Sequence, residues 1–424
     1  MPVLIKNVRV IDCAAKIDVC DDVEISGGSV EISPKKPDKA RVIDGRDLLL
    51  IPGLIDLHVH FREPGFVHKE DIRTGIRAAL AGGVTSVLVM PNTKPSLDSY
   101  KRVVYQLKRA SSVPDFDLMV AGAASIGLLG EMPTDMSQLS RAFVKAVTDD
   151  GRPIMDDAVL DAILRKCRRH RMVFMQHAED LEISHGAPMN EGKVSKKLGF
   201  RGQHTMAEAS LIARDIHFAH RLNARYHVLH LSCAASLELV RKAKRDGVAI
   251  TCEVTPHHLL LDECHVGQGD TCKKMNPPLR TRDDVRALVR GLEDGSIDAV
   301  ASDHAPHSAR EKNLPFADAP FGVVGLESAI LVLLTLVKQE GLSLRRAIES
   351  MTVGPARVLG EELRLGTMFG DHAVKNAVLI DPNHVGIFST RNLAGRSKNS
   401  PFIGMELHGK VRATFLNGKM VCME

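Results

Sequence analysis

The sequence contains no apolar run long enough to cross a membrane, and its opening MPVLIKNVRV shows no signal-peptide pattern. The expected location is therefore the cytoplasm, with no membrane partner. There is no dense cluster of Lys and Arg interleaved with aromatics, so nucleic acid is not an expected partner either. Eight cysteines stand at 13, 20, 167, 233, 252, 264, 272 and 422, and no two of them have CxxC spacing. Thiolate zinc ribbons are not indicated, and reduced, mostly buried thiols are expected.

What is present is length and alternation. The chain has 424 residues, of which 44% are hydrophobic, enough for a large core and more than one ordinary domain. A net charge of +4 is compatible with small anionic substrates without demonstrating them. From residue 51 to about 350, eight apolar runs read as buried strands: 51–61, 84–91, 117–123, 142–147, 172–178, 226–232, 248–256 and 297–304. Helix-like segments such as 71–82, 156–170 and 207–222 lie between them. Eight alternating β/α units predict a closed (β/α)8 barrel of the TIM type.

The ends read differently. Residues 1–50 and 365–424 carry short alternating runs broken by Gly, Pro and Asp. Neither end is large enough to fold well alone, so both together are expected to form one small β-sandwich. The expected division is 1–52 plus 360–424 for that composite domain, and 53–359 for the barrel. The stretches 183–205 and 262–285 lack periodicity and are expected as loops over the barrel mouth, with 262–285 a candidate lid.

In such barrels the site lies at the C-terminal ends of the strands. The first strand ends in DLHVHFREPG at 56–65. Residues two apart in a strand share a face, so His58 and His60 project together. HxH alone leaves two readings open: two ordinary strand histidines bonded to backbone, or a divalent-metal site. The other strand ends add to it. Asp149-Asp150-Gly151 follows the fourth, His177 ends the fifth, His230 the sixth and Asp303 the eighth. Four histidines and two aspartates on one rim are nitrogen and oxygen ligands for two divalent ions with an open position for water.

HVHFREPG, MPNTKP at 90–95, EVTPHHLLL at 253–261, KMNPPLR at 274–280, ASDHAPH at 301–307 and FGVVGLE at 321–327 resemble the dihydroorotases of the amidohydrolase superfamily, in the bacterial type I branch. The resemblance runs over essentially the whole chain. It implies reversible hydrolysis of (S)-dihydroorotate to N-carbamoyl-L-aspartate, a step of de novo pyrimidine biosynthesis, with two Zn²⁺ ions. His58, His60 and Asp303 would hold one metal and His177 and His230 the other, with Asp150 bridging both. Lys145 near the fourth strand is the alternative bridge, since many superfamily members use a carboxylated lysine. Asp303 would also shuttle a proton. Arg62, Asn92 and His307 would bind the substrate carboxylate, and Asn276 the pyrimidine ring. Glu63 is expected to pair locally with a cation, and His257 and His258 to be structural. The other readings are an allantoinase or hydantoinase, or a non-catalytic partner of aspartate carbamoyltransferase. A homodimer and association with that transferase are kept as partner expectations.

Overall fold

The computed structural model describes residues 2–35 and 40–423. Eight parallel strands follow one another along the chain: Leu54–Val59, Val84–Val89, Asp117–Val120, Ala146–Thr148, Val173–Gln176, Tyr226–Val228, Ile250–Val254 and Ala299–Val300. The third continues as Gly122–Ala123, which pairs with the fourth. The ring closes where Val59 bridges His304 in parallel, with the His60 N–H donating to His304 O at 2.9 Å.

Alternation within each strand builds two cores. Ile55, Leu57, Leu88, Met90, Ala121, Val173, Met175, Ala299 and Ala301 pack together as the barrel filling. Their neighbours Leu54, Val87, Val89, Val147, Phe174, Val228, Val254 and Val300 join the larger core under the helices. The apolar runs are thus buried on both faces, as a parallel sheet requires.

The helices form where the sequence spacing placed them. Ile72–Ala81 is capped by Asp71, whose carboxylate accepts from Thr74 N at 2.9 Å. A cap of this kind contributes about 1 kcal/mol. Asp157–His170 is capped by Asp156, and Met206–Leu222 follows 183–205. One boundary moves: the run 142–147 begins as a turn after the helix Met136–Arg141, with Phe143 at φ +60°, and only Ala146–Thr148 is strand.

Strands from both termini enter one mixed sheet of eight: Val3–Asp12, Ile17–Ser26, Ser29–Ile32, Arg41–Asp44, Leu49–Pro52, Ala377–Ile387, Glu406–Leu416 and Lys419–Met423. Ile5, Val10, Val23, Ile25, Leu50, Leu379 and Phe415 make its own small core. Leu49, Ile51, Val378 and Ile380, on the opposite face, pack into the barrel's outer core. The chain passes from sheet to barrel at Gly53, where any side chain would run into Thr85 and Asn376.

The two stretches without periodicity carry short elements and are packed together. Met189–Asn190 pairs in parallel with Gly202–Gln203. The fully buried Arg280 ties them to 262–285. Its guanidinium donates to Asn190 Oδ1 at 3.0 Å, Gln203 O at 2.9 Å, Gln203 Oε1 at 2.8 Å and Ser232 Oγ at 3.1 Å.

Candidate metal centre and substrate cavity

Three local breaks aim the ligands inward. Ile55 and Leu57 face the barrel interior, so strict alternation would send His58 and His60 outward. The register of the first strand against the second shifts between Asp56 and Val59. That irregularity changes the phase, as a bulge does. Val59 then packs outward and the rings of His58 and His60 stand 5.2 Å apart. His230 follows the inward Leu229 and is turned by a φ of +32°. Asp303 has φ +47°. Left-handed backbone at residues other than glycine costs energy and gathers at functional sites.

In the fourth-strand turn the two aspartates part company. Asp149 accepts from Ser125 N at 2.9 Å and from Ser125 Oγ, and burial pushes its pKa up to about 6. Asp150 leans into the mouth with its N–H on Thr148 Oγ1 at 3.0 Å, while Gly151 takes φ +79°.

His58, His60 and Asp150 form one buried group whose ligand atoms converge, and Asp150, His177 and His230 form a second. Asp150 belongs to both. Its Oδ1 is 3.4 Å from His58 Nε2, 3.7 Å from His230 Nε2 and 3.9 Å from His177 Nδ1, and its Oδ2 is 3.5 Å from His60 Nε2. Asp303 lies outside these two groups but beside the first. Its Oδ1 is 3.0 Å from His60 Nε2 and 3.5 Å from His58 Nε2.

These residues fit divalent metal. His58 Nε2 is buried with no hydrogen-bond partner among the described residues, and such atoms in a folded protein call for an explanation. The field around it favours positive charge. Burial alone would lower the His58 pKa, but Asp150 and Asp303 hold it well above the ordinary histidine value. Burial alone would raise the Asp150 pKa, yet His58 and His230 hold it well below the carboxylate range. The outward ring nitrogens are held as metal-ligating histidines require. His58 Nδ1 meets Glu253 Oε1 at 2.8 Å, His60 Nδ1 meets Asn92 Oδ1 at 2.9 Å, and His177 Nε2 meets Glu179 Oε2 at 2.9 Å. Each of these partners accepts, so the N–H lies outward and the free lone pair faces the site.

Glu253 and Glu179 escape a reading that looks only at strand ends. Glu253 sits within the seventh strand and also meets His227 Nε2 at 3.2 Å. Glu179 accepts from Asn276 Nδ2 at 2.7 Å and from Gln203 Nε2 at 3.0 Å. Burial would raise its pKa, and His177 instead brings it down to about 2. The pattern His177-Ala-Glu179 was the available signal.

The open side is a cavity of about 240 Å³ lined by His60, Arg62, Asn92, Asn276, Asp303 and His307 among others. Arg62 Nε donates to Pro306 O at 3.3 Å, and Nη2 stands 3.4 Å from His307 Nε2. Asn92 Nδ2 reaches Asp150 Oδ2 at 3.4 Å. The same cavity thus holds cationic and amide donors beside the ligand groups.

Three further residues take definite places. Lys145 is exposed and pairs with Glu361 at 3.1 Å, away from the cavity. Glu63 pairs with a cation, but not a local one. Arg109 Nε donates to it at 2.7 Å across the second β/α unit, and it also accepts from Ile72 N at 3.1 Å. His257 and His258 fall outside both ligand groups. His258 links Thr255 Oγ1 at 2.7 Å to Pro277 O at 3.1 Å, and burial pushes His257 down to about 4.

The profile of the amidohydrolase family matches residues 49–421. A dihydroorotase of Geobacter metallireducens is 39% identical over 424 residues, covering 99% of each chain. One of Anaplasma phagocytophilum is 42% identical over 385 residues, covering 90% of this chain and 85% of its own. Among solved structures, a dihydropyrimidinase of Brevibacillus agri superposes with a TM-score of 0.85 at 22% identity, covering 100% of this chain and 95% of that one, which shows a shared fold. The chain belongs to the amidohydrolase family and, within it, to the dihydroorotases.

Proposed function

We propose that the chain catalyses the reversible hydrolysis of the cyclic amide of (S)-dihydroorotate to N-carbamoyl-L-aspartate. Its full-length relatives carry the name of that activity. The observation that carries the reading is the placement of Arg62 and His307 on one cavity wall with both ligand groups. A metal site can open many cyclic amides; a paired donor wall suits one that bears a carboxylate. The planar guanidinium offers a fork that orients such a group.

Zinc would be the resident metal, two ions per chain, held by His58, His60 and Asp303 on one side and by His177 and His230 on the other, with Asp150 serving both. When bound, it makes hydroxide available from water near neutral pH and polarises the attacked carbonyl. The rest is done by side chains. Arg62, Asn92 and His307 hold the substrate carboxylate, and Asn276 faces the ring. Asp303 accepts the proton released as water adds to the carbonyl. It returns that proton to the ring nitrogen as the C–N bond breaks. One water is consumed, one amide becomes a carboxylate and an N–H, the second proton of the water leaves to solvent, and the reverse order, which takes up that proton, closes the ring.

The same reading divides the chain at 52/53 and 359/360 into composite β domain and barrel. The protein works in the cytoplasm on a small-molecule substrate. A homodimer and contact with aspartate carbamoyltransferase belong to the proposal as well. All six ligand residues converge, which disfavours a role as a non-catalytic scaffold.

Chelator-treated protein, verified metal-free, is assayed for ring opening of dihydroorotate, allantoin and 5-substituted hydantoins before and after adding Zn²⁺. Zinc-dependent opening of dihydroorotate alone is expected. Full activity without metal, or preference for allantoin or hydantoins, contradicts the proposal.

A further inference from the structure

The segment after the two metal-facing histidines also delivers a lysine. Lys69 Nζ stands 3.3 Å from His307 Nδ1 and 2.8 Å from Glu311 Oε1. The backbone at Lys69 is anchored on both sides, and one aromatic ring lies by the ammonium. Lys69 N donates to Phe66 O at 2.9 Å, Ser397 Oγ donates to Lys69 O at 2.7 Å, and the Phe66 ring lies 5.6 Å from Nζ.

An ammonium has three donors and no acceptor, so a ring nitrogen bonded to it must offer a lone pair. One competing acceptor lies near that nitrogen. Glu311 Oε2 is 3.9 Å from His307 Nδ1, too far for a hydrogen bond, and already accepts from Ser308 N at 2.9 Å and Ser308 Oγ at 2.7 Å. Neutral imidazole carries a single N–H, and with Lys69 the nearer cation, at 3.3 Å from Nδ1 against 3.4 Å for Arg62 from Nε2, the lone pair is taken at Nδ1 and the N–H at Nε2. Burial, then Arg62 and Lys69, keep His307 neutral by pushing its pKa down to about 2.

Nε2 faces the cavity, 3.4 Å from Arg62 Nη2. Arg62 also has donors only. Two donors thus converge on one point, an arrangement that an anion's lone pairs would satisfy. Gly322 keeps the space free: a Cβ there would sit 3.2 Å from His307 Nε2.

We propose that Lys69 is a positioning residue for substrate recognition. By fixing His307 as its Nε2–H tautomer, it makes His307 and Arg62 a joint donor site that selects cyclic amides bearing a carboxylate. The inference rests on the reading of Arg62 and His307 as the carboxylate side of the cavity.

The test joins steady-state kinetics on dihydroorotate with ¹⁵N NMR of histidine-labelled, metal-loaded protein, His307 being identified by its loss in His307→Gln. Lys69→Met removes the donors and Lys69→Arg keeps them. Lys69→Met is expected to raise KM about tenfold or more, the scale of one charge-assisted hydrogen bond, with kcat within about threefold. Lys69→Gln serves as a second neutral variant with the same direction of change. Lys69→Arg keeps KM near the parent's. His307 Nδ1 should show a lone-pair resonance in the parent and in Lys69→Arg, and lose it in Lys69→Met. Unchanged KM in both neutral variants overturns the proposal. So does a parent His307 protonated on Nδ1, or an equal loss of kcat in Lys69→Met and Lys69→Arg. Failure of the functional reading is separate: the parent would not open dihydroorotate, while the NMR would still report the tautomer.

Discussion

Asp303 stands where one side chain can serve two needs. Its Oδ1 lies within 3.5 Å of both His58 Nε2 and His60 Nε2, and it also lines the cavity. An asparagine in its place keeps an oxygen for a metal but cannot carry a proton. Asp303→Asn is expected to lose at least about 10²-fold in kcat, the low end for acid–base catalysis, while keeping part of its metal. Parallel elemental analysis and kinetics check this, and a near-normal rate with metal retained would remove Asp303 from the chemistry. Glu253 acts one step back. It is fully buried and holds His58 and His227 at once. Glu253→Gln should weaken metal binding about 10- to 100-fold, measured by competition with a chromophoric chelator. An unchanged affinity would reduce Glu253 to a core polar group. The six proposed metal-facing residues stand out in the sequence because each sits at or just after the end of an apolar run. Glu253 could not, because nothing in EVTPHHLLL separates a residue that supports a ligand from one that only packs.

At the scale of elements, strand order is legible in the sequence, while exact strand bounds and the phase of side chains are not. Continuous apolar runs announce strands buried on both faces but carry no alternation to say which residues point inward. The inward turn of His58 and His60 depends on a register shift after Asp56. That of His230 depends on a left-handed residue. The fourth strand shows the same limit. The apolar run spans 142–147, while the structure starts the strand at Ala146. The shift leaves Lys145 outside, paired with Glu361. Lys145→Ala should therefore keep the metals and lose only a surface ion pair, worth about 0–1 kcal/mol. Asp150→Ala should lose both metals, and activity should not depend on bicarbonate. Metal content of the two purified variants decides. Loss from Lys145→Ala, restored by short carboxylic acids, would reverse the assignment of the bridge.

Across the whole molecule, the barrel supplies the two ligand groups, and one of two loops packed together adds Asn276 to the cavity beside them. Arg280 joins both loops from within, and Asn276 connects them through Glu179 to His177. Removing the Arg280 side chain would leave several buried acceptors without donors. Arg280→Met should cost about 3 kcal/mol, the scale of one or two charged hydrogen bonds, and speed proteolysis within 183–205 and 262–281. Unchanged cleavage at both stretches would show that the loops hold independently. The sequence showed these stretches only as regions without periodicity, because their order comes from polar contacts far apart in the chain. The proposed function requires a metal pair shared by Asp150 and facing a carboxylate clamp. Anomalous diffraction at the zinc edge from a crystal soaked with dihydroorotate tests it most directly. Two peaks are expected, one among His58, His60, Asp150 and Asp303, the other among Asp150, His177 and His230, with the ligand carboxylate against Arg62 and His307. No peak among these residues, or a carboxylate turned away from Arg62, would contradict it.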